Sequence, residues 1–323
     1  MKVALLTGLV GLGILLVVWI SRRAPSELAA IAPLPAAVTT DRVGTGGLAV
    51  LDPQQSAEDR ARTLAGWSAD RVRQHVPTVV GWAESGPVPL RASAIWALGL
   101  AGGSVALETL ERIMADTDTE ASLRADAITA RARADTHSVE FAERWVSDPQ
   151  PAVALAARRV LRREERPPDE KIPTTLVEWQ EAVATGGDAA AGRRVFLSPQ
   201  VGCAQCHVAE GRGRVAGPGM DGLGRDRATL IEAIVEPAKV VHPDFQSAVV
   251  ETRSGELWQG IQARTAADGT VTLIGLDGQP WSWPASEVAK LEILPGSIMP
   301  EGLAEAMTRA EFRDLLAYLE SLR

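Results

Sequence analysis

The residues of this sequence that are best placed to do chemistry lie together as Cys203-Ala204-Gln205-Cys206-His207. The chain has 2 Cys and 4 His in all, so this CxxCH arrangement uses every thiol available. CxxCH is the attachment signature of c-type haem. Two thiols three residues apart reach two vinyl groups along one porphyrin edge, and the next residue places an imidazole under the iron. The spacing predicts one covalent haem c, with Cys203 and Cys206 as thioethers and His207 as an iron ligand.

Two other chemistries use closely spaced cysteines. A thioredoxin-like redox dithiol needs a βαβ context and has no histidine directly after the second thiol. Half of a zinc site shared with a partner could also be built from this motif. Two cysteines are too few for a disulfide scaffold or a four-thiolate zinc site. The motif therefore favours haem attachment, with the dithiol and the shared zinc site as alternatives.

The surroundings of the iron are predicted from residues downstream of the motif. Pro218 lies in a Gly-Pro-Gly loop, where a prolyl carbonyl typically accepts the Nδ1 proton of the proximal histidine and so orients His207. Methionine and histidine are both known as second axial ligands. Met299 is the predicted ligand because its loop directly precedes the last helix. Met220 and His242 remain the alternatives.

Two predicted helices bracket the motif and must position it. Asp188 caps a helix over residues 189–197, and a capping box at 308–311 opens the last helix. Gly192 on the first helix and Tyr318 on the last allow the two to cross closely, as in cytochromes c.

A β insertion is predicted between these helices, at about residues 246–284. Its strands are separated by glycine-containing turns and form a small antiparallel meander. The predicted strands are 246–252, 257–263, 271–275 and 280–283.

Self-similar helical segments precede the motif. The sequence LRASAI at 90–95 matches LRADAI at 123–128, and a weaker copy follows at 153–158. Each copy follows a turn and precedes a second amphipathic stretch, which is typical of helix pairs that stack into an α-solenoid. The segment is similar to HEAT-type repeats, with tetratricopeptide repeats as the alternative. Such a solenoid is either a protein-docking surface or a rigid spacer.

An uncharged run over residues 3–20 opens the chain and as a helix would span about 27 Å, enough to cross a bilayer core. It predicts an uncleaved transmembrane anchor, with a cleaved signal peptide as the alternative. The predicted fold is mainly α: this helix, the solenoid, and a helical cytochrome c domain with the β insertion. The predicted boundaries are 1–23 for the anchor, 24–55 for a linker, 56–166 for the repeats, 167–186 for a second linker and 187–323 for the cytochrome domain.

Composition narrows the class of partner. The chain has 323 residues with a net charge of −8, which argues against nucleic acid because a negative surface repels phosphate. The hydrophobic fraction of 46 % is that of a globular protein. Acidic side chains also outnumber basic ones within the last 140 or so residues, which predicts a redox partner with a basic face.

The order of motifs in the region 185–323 resembles the haem-binding cytochrome c domain that recurs in planctomycetes and verrucomicrobia. The shared motifs are the CxxCH, the Gly-Pro loop, EPAK at 236–239, the β insertion, SIMPEG at 297–302 and LLAYL at 315–319. One departure is Met220, where the family usually has leucine. The family often carries HEAT-like repeats on the same chain, and the resemblance implies a redox module.

The sequence therefore predicts a membrane-anchored monohaem c-type cytochrome that transfers single electrons and is not itself an enzyme. It would be a single-pass protein of the inner membrane with most of the chain in the periplasm, since haem is attached to CxxCH outside the cytoplasm. Its expected partners are redox proteins, as subunits of a respiratory or photosynthetic complex docked through the repeats. The alternatives are a haem-based sensor or ligand-binding protein and a scaffold subunit whose haem is structural.

Overall fold

Short helices packed in pairs form the first part of the computed structural model, which describes residues 48–162 and 171–322. All of the described residues belong to one compact unit. A 3-10 turn at Leu48–Leu51 comes first and another, Glu140–Trp145, precedes the last of these helices. The helices are α1 (Ala57–Ala65), α2 (Ala69–Gln74), α3 (Val76–Ser85), α4 (Val88–Ala101), α5 (Ser104–Ala115), α6 (Ala121–Ala134) and α7 (Pro151–Val160).

Small residues let the two central helices of this part approach closely. The similar segments 90–95 and 123–128 lie in α4 and α6, whose alanines are almost entirely buried. A Cβ built on Gly99 of α4 would lie 2.6 Å from the carbonyl oxygen of Ala130 in α6, so only glycine is accommodated there. Gly102 then ends α4 with a φ of 64°, a conformation that glycine adopts without strain. The core of this part is therefore set by backbone contact as much as by large side chains.

The second part of the chain surrounds the CxxCH motif. Its helices are α8 (Leu176–Ala182), α9 (Ala189–Leu197), α10 (Arg227–Val235) and α11 (Arg309–Ser321), and a short hairpin, β1 (Val208–Ala209) and β2 (Arg212–Gly213), follows the motif. Asp188 accepts a hydrogen bond from the Ala191 amide at the start of α9, and Thr308 and Glu311 form a capping box on α11. Both caps satisfy amides that a helix start leaves without partners.

A five-stranded antiparallel sheet separates α10 from α11. It contains β3 (Gln246–Thr252), β4 (Leu257–Thr265), β5 (Val271–Gly275), β6 (Pro280–Trp283) and β7 (Val288–Ser297), in the spatial order β6-β5-β4-β3-β7. Val250 at the centre lies opposite Trp258 on one side and Leu291 on the other, so one face carries the apolar residues. The strand β7 lies beyond the predicted end of the insertion and leads directly into the loop that carries Met299.

The predicted fold class is wrong in two respects. Over residues 48–162 and 171–322 no helix is long and apolar enough to cross a membrane. The longest helices there, α4 and α6, have 14 residues, whereas a span needs about 20. The run over residues 3–20 that suggested the anchor lies outside the described residues. The chain is also less purely helical than predicted, because the sheet includes the fifth strand, β7.

The crossing of α9 and α11 generates a stability prediction. A Cβ on Gly192 would lie 1.8 Å from the Asp314 carbonyl oxygen and 2.9 Å from the Tyr318 Cβ. Gly192→Ala should therefore lower the free energy of unfolding by about 1–3 kcal/mol, because the helices must move apart. The matched control is Gly81→Ala in α3, where a Cβ meets nothing within 4 Å among the described residues. The control should raise stability by up to about 1 kcal/mol, and equal effects in a denaturant titration would contradict the prediction.

Candidate functional site

A single tight turn brings the two thiols and the imidazole together. Gly202 adopts a left-handed conformation with φ of 80° and starts the 3-10 turn Cys203–Gln205. The amides of Cys206 and His207 both donate to the Cys203 carbonyl oxygen, at 3.2 and 3.0 Å. Both cysteines are free thiols and half-buried. The motif is thus held by its own backbone hydrogen bonds in one compact turn.

The His207 ring is fixed from one side by the following loop. Its Nδ1 lies 2.9 Å from the Pro218 carbonyl oxygen, which can only accept, so Nδ1 carries the proton. This leaves Nε2 with the lone pair, as an iron ligand requires. Burial lowers the pKa of His207, against the opposing effect of the Pro218 hydrogen bond. The ring is therefore neutral in the form that binds a metal.

Two glycines make room for this histidine. A Cβ on Gly217 would lie 2.8 Å from Cε1 and 2.9 Å from Nδ1 of the His207 ring. A Cβ on Gly213, whose φ is 114°, would lie 2.0 Å from the His207 carbonyl oxygen. Any other residue at either position would push the ring or its backbone away. The pocket around His207 is thus built from close backbone approach.

The thiols lie in an environment that does not activate them. Burial raises the pKa of Cys203 to about 12. Burial also raises the pKa of Cys206, with a smaller opposing effect of Arg214. Catalytic dithiols have a lowered pKa, because the thiolate is the reactive species. This is evidence against the thioredoxin-like alternative.

The two methionine candidates for the second ligand lie in one apolar cluster and reach it from different parts of the chain. Met299 is half-buried and Met220 buried, and both pack in the apolar cluster that also contains Cys203 and Phe196. The Met220 amide donates to the Val208 carbonyl oxygen at 2.7 Å, which holds Met220 next to the chain that leaves His207. Met299 enters the same cluster from the end of β7.

His242 is not brought into this cluster. Its Nδ1 accepts a hydrogen bond from the Asp244 amide at 3.2 Å and caps the 3-10 turn Pro243–Phe245. The ring also packs against Phe245, with 6.2 Å between the ring centroids. The structure thus gives His242 a local capping role at the edge of the sheet.

Some residues around the site were not expected from the sequence. Trp96 of α4 packs in the same apolar cluster as Cys203, although more than 100 residues separate the two in the chain. Asp126 of α6 bonds two arginines of α9, and Arg212 in β2 is buried. These contacts join segments far apart in the chain, so no local sequence pattern could identify them.

The prediction of a metal-binding protein needs a correction. Within the part of the chain that the structure describes, no group of three or more His, Cys, Asp or Glu side chains could hold a metal ion. A metal site built from three or more such side chains of this chain is therefore wrong for these residues. A haem iron is a different case, because the porphyrin supplies four ligands and the chain at most two.

No protein-family model matches the chain, and no curated protein is similar to it.

The single tyrosine of the chain reports on the packing beside the site. Tyr318 is 3 % exposed and its hydroxyl donates to Glu210 at 3.2 Å. Burial raises its pKa, the Glu210 charge raises it further, and Arg212 and Arg193 oppose the shift. Because the folded state favours the neutral phenol, this stabilisation is complete below the unfolded pKa of about 10 and is lost as pH rises above it.

We therefore expect no phenolate absorbance from the native protein at pH values where the denatured chain is half ionised. An ultraviolet titration of native and denatured protein measures this directly. Tyr318→Phe should abolish the signal in both states. A native titration that coincides with the denatured one would show that the phenol is open to solvent.

Proposed function

We propose that this chain is a monohaem c-type cytochrome that transfers single electrons outside the cytoplasm. The observation that carries the proposal is the His207 ring, oriented by the Pro218 carbonyl with Nε2 left as the ligand atom, one residue after two closely spaced free thiols. The close approach of Gly217 and Gly213 to His207 supports it, because an iron ligand must be held in one orientation. The residues present therefore fit haem c.

Each residue of the site has a role in this proposal. Cys203 and Cys206 would bind the haem through thioether bonds, and His207 and Met299 would hold its iron. Bound haem supplies a ferric and a ferrous state of nearly equal geometry, so an electron can pass with little rearrangement. Pro218 keeps the proton on Nδ1 and raises the basicity of the ring. The apolar cluster of α9, α10 and α11 excludes water, which helps to set the potential.

Covalent attachment is the first test. Full-length chain produced with a c-type haem maturation system should gain the mass of one haem and keep it under denaturing conditions. Cys203→Ala combined with Cys206→Ala should abolish the covalent attachment. Wild-type protein that stays haem-free, although a known c-type cytochrome matures in the same cells, would contradict the proposal.

The axial ligand is tested by a matched pair of methionine variants. Met299→Ala should remove the weak near-infrared band of ferric Met-ligated haem and lower the reduction potential, because thioether ligation raises it. Met220→Leu is the control and should keep both properties. Loss of the band in Met220→Leu alone would transfer the ligand role to Met220. A wild-type protein without the band would favour a haem with an open site, as in a sensor.

A further inference from the structure

The hairpin that follows His207 packs directly on the helical repeats. Its turn is formed by Glu210 and Gly211, with φ values of 50° and 76°, which is the geometry of a tight two-residue hairpin turn. A Cβ on Gly211 would lie 3.3 Å from the Cβ of Ala65 and 3.4 Å from the Arg62 carbonyl oxygen, both in α1. The turn therefore lies against the first helix of the repeats with no space between them.

Arg212 fastens this hairpin to a second repeat helix. Its Nη2 donates to Ser93 Oγ of α4 at 2.7 Å, and its Nη1 bonds Glu210 at 2.8 Å. Arg212 is 6 % exposed and Ser93 1 % exposed. A buried guanidinium is costly without hydrogen-bond partners, so these contacts fix where β2 lies. Glu210 is held in turn by the Tyr318 hydroxyl of α11.

Asp126 of α6 makes the equivalent contact with the helix that precedes the motif. It accepts from Arg193 and, at 3.2 Å, from Arg194, both in α9. The Asp126 carboxylate is 10 % exposed, and the Arg194 guanidinium that pairs with it is 8 % exposed. One buried carboxylate of the repeats thus binds two charges of the neighbouring part. Helix α9 cannot move along α6 without leaving buried charges unpaired.

The hairpin transmits this placement to the histidine. Gly213 at the end of β2 lies against the His207 carbonyl oxygen, and the Ala216 amide donates to the Cys206 carbonyl oxygen at 2.9 Å. Both contacts join the segment at the end of the hairpin to the backbone of the CxxCH motif. A shift of the hairpin on α1 and α4 must therefore move the motif.

From these contacts we infer that the helical repeats are a positioning part of the haem site, in which Ser93 and Asp126 act as positioning residues for His207. They hold the segments on either side of the CxxCH turn, Ser93 through Arg212 and Asp126 through α9. The inference rests on the proposed function for its redox consequence. It adds a role inside the site itself to the two roles that the sequence suggests for the repeats, a protein-docking surface or a rigid spacer.

Hydrogen exchange of the full-length protein tests this without relying on electron transfer. Ser93→Ala and Asp126→Asn should each speed amide exchange across residues 203–213 by at least about tenfold, because the segment opens more often. The matched control is Asp148→Asn. Asp148 pairs with Arg124 at 2.7 Å, with the side chains 6 % and 3 % exposed, wholly within the repeats. The control should speed amide exchange in the repeat helices, because it destabilises them. It should leave the exchange rate at residues 203–213 at the wild-type value.

The haem-loaded protein provides the second readout. Ser93→Ala and Asp126→Asn should displace the midpoint potential from the wild-type value, and Asp148→Asn should not. If all three variants behave alike in both measurements, the repeats only support the fold and the inference is overturned. If Asp126→Asn does not fold, Ser93→Ala decides, since it removes a single hydroxyl. A wild-type chain that gains no covalent haem would contradict the proposed function. Amide hydrogen exchange of the haem-free chain would still test whether Ser93 and Asp126 position residues 203–213.

Discussion

The hydrogen bond between the His207 ring and the Pro218 carbonyl is the contact on which the candidate site depends. It needs a backbone carbonyl beside a buried imidazole, so the two chain segments must approach with no side chain between them. Gly217 and Gly213 meet that requirement, and any Cβ there would collide with His207. The orientation of the ring thus depends on the absence of side chains at these two positions. Electron transfer in the proposed function requires such a rigid ligand.

Buried charge is the second constraint, and it acts between the two parts of the described chain. A buried arginine must be paired, because moving an unpaired charge from water into the protein interior costs on the order of several kcal/mol. Asp126 satisfies Arg193 and Arg194, and Arg159 of α7 pairs with Asp314 of α11 at 2.7 Å. Directional pairs of this kind allow one arrangement of the helices, whereas apolar contact alone would tolerate sliding.

Local features of this chain could be predicted from the sequence, and long-range ones could not. The Asp188 cap and strands β3, β5 and β6 depend on neighbouring residues, and each lies where the sequence pattern predicted it. The strand β7 was missed because its apolar residues do not alternate regularly. The packing of Trp96 in the cluster beside Cys203 joins residues far apart in the chain, as does the hydrogen bond between Arg212 and Ser93. Such pairings depend on the tertiary fold, about which one sequence carries no local signal.

Amphipathic helices such as α1 to α7 expose apolar surface unless a different element covers it. Here the elements that follow α7 provide the cover, because Trp96 of α4 packs into the cluster of α9 and α11. Arg162, just after α7, also joins the two parts, because it pairs with the buried Glu311 of α11 at 3.2 Å. Each part therefore buries surface that the other would leave in water. This mutual cover packs the two parts against each other within residues 48–162 and 171–322.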